Sequence, residues 1–281
     1  MLRSLAALSL PAFVLCACRP ATPLDAIREK AFPAPPSDPA VPAVFAPPVP
    51  QTPSSPAKLP ALTRMFIRGI DFEGVSFDAR SHRLLVIDQP NGLASSFGTS
   101  QGVARQHNAL LALNASFFTP EGNPLGLVIS KGDRAGAWNS VSSLGSGIFA
   151  ESASGQLSIS RRSSPAAFAG ARELIQAGPL LVENGSAVSG LDAGKSAVRS
   201  ILLTDGSTRW WIGKTSSCSL AALGEALASQ SPVPWSVRHA LNLDGGRSTD
   251  LFVSSEIPGG PFERRSILNR PVRNFLILKP R

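Results

Sequence analysis

The chain has 281 residues, 43% of them apolar, and carries 27 basic against 19 acidic residues for a net charge of +8. That length and apolar share are enough for a buried core and exclude a wholly disordered or fibrous chain. Between residues 61 and 281 the 22 basic and 16 acidic residues are scattered, Arg161–Arg162 and Arg264–Arg265 being the only adjacent pairs; no aromatic and basic interleaving suggests a nucleic-acid partner.

The first segment reads as a targeting signal. One positive charge at Arg3 precedes an apolar run from Leu5 to Val14 that is too short to span a membrane. Leu15-Cys16-Ala17-Cys18 then resembles the lipobox of bacterial lipoproteins, which makes 1–18 a lipoprotein-type signal peptide and Cys18 the lipidated residue. Arg19 after that cysteine leans toward the outer membrane, so the expectation is an exported protein anchored there and facing the periplasm. Residues 19–60 read as a linker: eleven of the 25 prolines fall between Pro33 and Pro60, with almost no charge and no periodicity, as in an extended, partly polyproline II tether. Of the three cysteines, only Cys218 is then left for the folded part. No disulfide framework or cysteine-built zinc site is expected, and Cys218 reads as a core residue.

From residue 61 to 281 the chain is mostly short apolar or alternating runs bounded by Gly, Pro, Asn, Asp and Ser. Strands are expected at 83–87, 109–113, 126–130, 156–160, 197–204, 209–212, 240–243, 250–253 and 274–278. Asp205-Gly206 predicts a tight hairpin across 198–212. A short helix is expected over 100–107, and Leu220, Leu223 and Leu227, at i, i+3 and i+7 after a serine-rich cap, predict another. The fold class is therefore α+β: one domain with a mixed, largely antiparallel sheet and a few packed helices.

Gly190-Leu-Asp-Ala-Gly-Lys-Ser196 is one residue short of a phosphate-binding P-loop and reads as a surface loop. The only histidines are His82, His107 and His239, in no metal-binding spacing, and with no Gly-x-Ser-x-Gly elbow read in the chain, serine-hydrolase chemistry is not expected. Catalysis is left to carboxylates, amides and cations. Such groups occur where strands end in glycine-rich turns: Asn114 and Ser116 in Asn-Ala-Ser-Phe-Phe, Lys131 after the run ending at Ser130, Gln176 in Gln-Ala-Gly-Pro, and Asp244 in Leu-Asp-Gly-Gly-Arg-Ser-Thr. Each has a bland alternative. Asn114 and Gln176 could satisfy turn backbone, Arg199 could sit in a structural ion pair, and Asp244 could cap a glycine turn or hold calcium or another divalent ion. Asp250 reads as a strand-start residue on the surface. The tryptophans Trp138, Trp210, Trp211 and Trp235 read as core, and adjacent Trp210 and Trp211 must point to opposite faces of a strand.

Taken in order, these stretches resemble the phosphodiester glycosidase family. The matching elements are Asn114-Ala-Ser-Phe-Phe, Pro124-x-Gly-Leu-x-Ile-x-x-Gly132, Gln176-Ala-Gly-Pro-x-Leu, a strand opened by Arg199 and closed by Asp205-Gly206, Ala240-Leu-Asn-Leu-Asp-Gly-Gly-x-Ser-Thr249, and Arg270-Pro-Val-x-Asn274. The departures are Ala115-Ser116 where the family keeps two glycines, Ser200-Ile-Leu after Arg199, and Arg247 where a third glycine is common. The resemblance implies hydrolysis of a sugar 1-phosphodiester in envelope or exogenous glycans, with a phosphorylated glycan as substrate; the sequence itself requires no cofactor and leaves room for calcium or another divalent ion.

Cleaving such a C1–O bond builds positive charge on the sugar ring and releases a phosphate, which needs less acid assistance than an ordinary glycoside. One carboxylate and phosphate-binding cations suffice. Asp244 is the candidate carboxylate, with Asn114 as its catalytic companion. Gly245, Gly246 and Ser248 give backbone access, Arg199, Lys131, Arg247 and Arg270 are the candidate cations, and Gln176 would hydrogen-bond the sugar. The alternative is a non-catalytic envelope lipoprotein that binds phosphorylated glycans during polysaccharide assembly or export.

Overall fold

The computed structural model describes residues 60–281. The signal peptide, the Cys18 anchor and the linker before Pro60 lie outside the described residues. In chain order the elements begin with β1 (Ala61–Ile67), β2 (Ile70–Asp78), β3 (His82–Asp88), helix α1 (Ser100–His107), β4 (Leu111–Asn114), β5 (Val128–Ser130) and β6 (Asp133–Ala135). They continue with β7 (Gly147–Glu151), β8 (Leu157–Arg161), β9 (Glu173–Ala177), β10 (Leu180–Glu183), β11 (Ser186–Ala187), β12 (Ser200–Thr204) and β13 (Arg209–Thr215). Helix α2 (Leu220–Ser229), β14 (His239–Asn242), β15 (Asp250–Val253), β16 (Phe262–Arg265) and β17 (Asn274–Pro280) complete the chain.

Local chemistry accounts for several of these boundaries. Thr99 caps α1 by accepting the Gly102 amide at 3.0 Å, and Asn108 ends it in the left-handed region at φ 49°. Ser219 caps α2 on the Ala222 amide. The Asp205 carboxylate accepts the Ser207 and Arg209 amides and closes the expected β12–β13 hairpin.

The strands form three sheets, and every pairing among the described strands is antiparallel. The expected α+β domain of largely antiparallel strands with a few helices is present, and the expectation of one mixed sheet is corrected to three sheets with no parallel pair among the described strands. The orders are β1-β2-β13-β12-β14-β10-β11, β16-β15-β4-β17-β3 and β6-β5-β9-β7-β8. Alternation along the strands sorts the core into layers. Val75, Phe77, Leu202, Trp210, Ile212 and Leu241 from the seven-stranded sheet meet Leu84, Val86, Leu111, Leu113, Leu276, Val128, Phe149 and Ile175 from the other two in one central core. On the outer face of the seven-stranded sheet, Phe72, Ile201, Leu203 and Trp211 pack against Leu223, Ala226 and Leu227 of α2. Val103 and Ala104 of α1 pack with Ala112, Phe252, Phe275 and Ile277 on the outer face of the second sheet. Trp210 and Trp211 thus point to opposite sides, both buried.

Candidate active site

The functional candidates meet where four strands end. β4 closes at Asn114, β12 opens at Ser200, β14 runs into Leu243-Asp244, and β15 opens at Asp250. The Asn114 amide ties them together: Nδ2 donates to the Asp244 carbonyl at 2.6 Å, while Oδ1 accepts the Ser200 hydroxyl at 2.7 Å and the Asp250 amide at 3.2 Å. The Asp244 amide donates to the Ala115 carbonyl, and the Leu243 amide to that of Ser200. Asn114 is 0% exposed. In this structure it fixes the backbone of Asp244 across two sheets, and its side chain does not reach the surface.

After Asp244 the backbone needs its glycines. A Cβ on Gly245 would lie 2.6 Å from the Val198 carbonyl oxygen, and Gly246 sits at φ +60° with its amide donating to that same carbonyl at 2.8 Å. A short 3-10 turn, Gly246–Ser248, follows and folds Ser248 back toward Asp244. Asp244 is 6% exposed. Burial pushes its pKa up to about 6, against the Ser248 hydroxyl, the Arg270 charge and the Gly245 amide, which pull it down. Its Oδ2 has no hydrogen-bond partner among the described residues. Arg270 Nε donates to the Ser248 oxygen at 3.2 Å, and the guanidinium lies 5.3 Å from the centre of the Phe118 ring. The assembled unit is therefore Asp244, Ser248, Arg270 and Phe118. Phe118 gave no signal in the sequence beyond lying in the Asn-Ala-Ser-Phe-Phe stretch.

The other candidates have different placements. Gln176 is buried and saturated within the protein: Oε1 accepts the Leu127 and Asn139 amides at 2.8 Å each, and Nε2 donates to the Asn139 and Gly145 carbonyls. Arg199 forms no ion pair among the described residues; its guanidinium donates to the Cys218 and Lys195 carbonyls, and its Cα lies beside the Gly245 backbone. Burial pulls its pKa below the ordinary value. Lys131 occupies the β5–β6 turn, where its amide donates to Glu173 at the start of β9, away from the end of β9 that leads to Gln176. Arg247 is exposed, donates to the Leu268 carbonyl at 2.8 Å and accepts the Arg270 amide, so it pins the β16–β17 loop. Ser116 pairs with Asn274, each side chain bonded to the other.

Two further corrections concern Ser100 and Asp250. Gly98-Thr-Ser-Gln-Gly102 does have Gly-x-Ser-x-Gly spacing. Ser100, however, is fully buried at the start of α1, with its hydroxyl donating to the Asp250 carbonyl, so it presents no nucleophile. Asp250 starts its strand as expected but is buried, accepting the Ser100 amide at 3.0 Å. Among the described residues, no group of three or more His, Cys, Asp or Glu side chains could hold a metal ion.

A cavity of about 250 Å³ opens on the other side of the glycine turn, lined by Val198, Lys214, Gly246, Thr249, Arg264, Arg265 and Ser266. Lys214 belongs to the Trp-Trp-Ile-Gly-Lys end of β13, whose alternation, with Trp210 and Ile212 facing the central core, is the signal that could have placed it there.

The model of the phosphodiester glycosidase family matches residues 107–279. The chain belongs to that family. Among curated protein sequences none matches. Solved structures share the fold. The zebrafish N-acetylglucosamine-1-phosphodiester alpha-N-acetylglucosaminidase catalytic domain, auto-inhibited by its pro-peptide, is 18% identical at a TM-score of 0.54, over 78% of this chain and 82% of that one. A hypothetical protein from Synechocystis is also 18% identical at 0.54, over 78% of this chain and 61% of its own. A Burkholderia pseudomallei K96243 protein whose name describes it as exported is 14% identical at 0.51, over 75% of each chain. The matched stretch contains Asp244, Ser248, Arg270 and Phe118 together. No helix among the described residues is long and apolar enough to cross a membrane.

Proposed function

We propose that this phosphodiester glycosidase hydrolyses a sugar 1-phosphodiester at the C1–O bond, with Asp244 as the carboxylate that acts at the anomeric carbon or its attacking water. The observation that carries this reading is the state of Asp244: a buried carboxylate with one oxygen unpartnered by the protein, a pKa of about 6, and an arginine held beside it through Ser248. At neutral pH such a group is ionised and desolvated, which suits it to oppose positive charge on a sugar ring. The departing phosphate needs a cation more than an acid, and Arg270 supplies one. Gly246, where an added Cβ would meet nothing within 4 Å, leaves open backbone for a ligand.

The substrate is a phosphorylated glycan of the cell envelope or of exogenous origin, and no cofactor enters this scheme. Export through the lipoprotein-type signal, with lipid on Cys18 and the Pro-rich stretch as tether, would hold the domain at the outer membrane facing the periplasm. Incorporation of labelled palmitate that is lost in Cys18→Ser checks the anchor. The decisive experiment is release of sugar from a chromogenic sugar 1-phosphodiester by the full chain. Activity in the wild type and none in Asp244→Asn is expected; equal turnover in the variant overturns the assignment. The low exposure of Asp244 favours one second reading, a lipoprotein that binds phosphorylated glycans without cleaving them. Binding with no turnover across a panel of sugar phosphodiesters would establish it.

A further inference from the structure

The cavity beside the glycine turn contains a cation with no partner. Lys214 is half-buried on the inner face of β13, opposite Ser200 on one side and Glu73 on the other. Its neighbours Arg64 and Arg264 already share Glu73: Arg264 binds it through both nitrogens at 2.7 and 3.0 Å, and Arg64 at 2.9 Å. Both guanidinium groups also lie over the Phe262 ring, at 5.1 and 4.6 Å, which fixes their positions. Arg265 lies 3.6 Å from Asp250. Lys214 itself makes no hydrogen bond and no ion pair among the described residues; Glu73 and Asp71 act on it only at a distance, and Arg264 opposes them.

A half-buried ammonium is costly to keep without a counter-charge. Here it lines a cavity to which Gly246 contributes bare backbone and Thr249 and Ser266 add hydroxyls. Lys214 also lines a second groove, of about 320 Å³, that extends past Glu73 to Met65 and Phe66. A neutral sugar would leave the lysine unpaired, whereas an oxyanion would satisfy Lys214 and Arg265 together.

We propose that the cavity formed by Lys214, Arg264, Arg265 and Gly246 is an anion subsite, which takes a phosphate or carboxylate group carried by the substrate in addition to its scissile phosphodiester. This rests on the glycosidase reading for its role in turnover, but not for its chemistry. The enzyme would thus select acidic glycans over neutral ones. Arg264, held by Glu73, forms one wall, and Lys214 and Arg265 supply the charge for the ligand.

Titration of the full chain with inorganic phosphate, and separately with glucuronate, followed by calorimetry, tests the site. Lys214→Met should weaken the preferred anion about tenfold, as expected for loss of a charge-assisted contact. Lys214→Arg should restore most of the affinity, and Lys131→Met, at the far end of β9, should leave it unchanged. Thermal melting of each variant separates a lost site from a lost fold. Lys214→Met that melts like the wild type and binds both anions equally well overturns the proposal. Kinetics then separate it from the glycosidase reading. With an aglycone bearing an added acidic group, Lys214→Met should raise KM about tenfold and leave kcat, while a neutral aglycone should show no change. If no diester is cleaved but anion affinity still depends on Lys214, the hydrolase reading fails and the subsite stands. If diesters are cleaved and neither anion affinity nor KM responds to Lys214, the subsite fails and the hydrolase reading stands.

Discussion

Glu173 and Asp244 are both buried carboxylates with pKa values raised mainly by desolvation, to about 7 and about 6. They lie toward opposite ends of β9. Glu173 is its first residue, whereas Gly178, just past its last, accepts the Asn242 side chain two residues before Asp244. Glu173 has both oxygens occupied, by the Val86 amide at 2.9 Å and the Lys131 amide at 3.3 Å, and faces Glu151 across the β7–β9 ladder. Asp244 has one oxygen with no partner, glycines beside it and a pinned arginine. Burial raises both pKa values, and the proposed catalytic role of Asp244 rests on the difference between them, an oxygen left without a partner next to the open backbone of Gly246.

The largest expected effect breaks that symmetry directly. Asp244→Asn should lower kcat/KM by about a thousandfold or more, while Glu173→Gln should leave it within about twofold, both measured on a sugar 1-phosphodiester. A comparable loss in the two variants would mean that Asp244 matters only for folding. Stability should reverse the order of importance. Because the folded pKa of Glu173 lies above its ordinary value of 4.5, its contribution is fully present below about pH 4.5 and is lost as pH rises through about 7. Melting of the wild type should therefore fall relative to Glu173→Gln between pH 5 and 8.

Asn114→Ala comes next. It removes three hydrogen bonds that join the ends of β4, β12, β14 and β15 and leaves the Asp244 carbonyl without its side-chain donor. A loss of about 2 kcal/mol in denaturant unfolding is expected, with a fall in kcat larger than any change in KM. A change in KM alone would instead put Asn114 in contact with substrate.

The pH profile sharpens the role of Asp244 itself. If the ionised carboxylate is the working form, kcat/KM should rise with pH through about 6 and level off above it. The Ser248 hydroxyl and the Arg270 charge both hold its pKa down against burial. Ser248→Ala and Arg270→Met should therefore each move the limb to higher pH, which a merely structural role would not do. A limb that stays in place would remove Ser248 from the site.

Much of this was legible in the sequence where local chemistry decides. The Asp205-Gly206 turn and the i, i+3, i+7 leucines of α2 each act within a few residues, and the hairpin and that helix follow from them. The β1–β2 hairpin was not foreseen: its turn is Arg68-Gly69, both at positive φ, and β1 leaves Met65 and Phe66 exposed, so it carries no alternating signal. The site divides in the same way. Asp244 and its glycines could be read from their spacing, and Arg270 from its motif. The inward role of Gln176, the backbone contacts of Arg199 and the remoteness of Lys131 depend on which strand ends adjoin, and that is set by pairing across more than a hundred residues. Lys214 comes from the seven-stranded sheet and the Arg264–Arg265 pair from another, and no spacing could have united the lysine with that pair.

Arg247 should give the smallest effect. It stands where relatives tend to carry glycine, and a gripping cation was one reading of that change. In the structure its guanidinium is turned to the Leu268 carbonyl and its own carbonyl holds the Arg270 amide, so its side chain bears on the loop rather than on Asp244. The loop has other supports: Asn269 donates to the Thr249 carbonyl at 2.8 Å, and the Ser266 hydroxyl accepts the Leu268 amide at 3.2 Å. An exposed hydrogen bond to a backbone oxygen is worth about 0.5 to 1.5 kcal/mol, and the backbone contact to Arg270 survives any substitution. Arg247→Ala should therefore change kcat/KM by no more than about threefold and leave the acid limb of the pH profile in place. A loss approaching that of Asp244→Asn would show that the cation reaches the substrate during turnover, and the phosphate would then be held from both sides of the glycine turn.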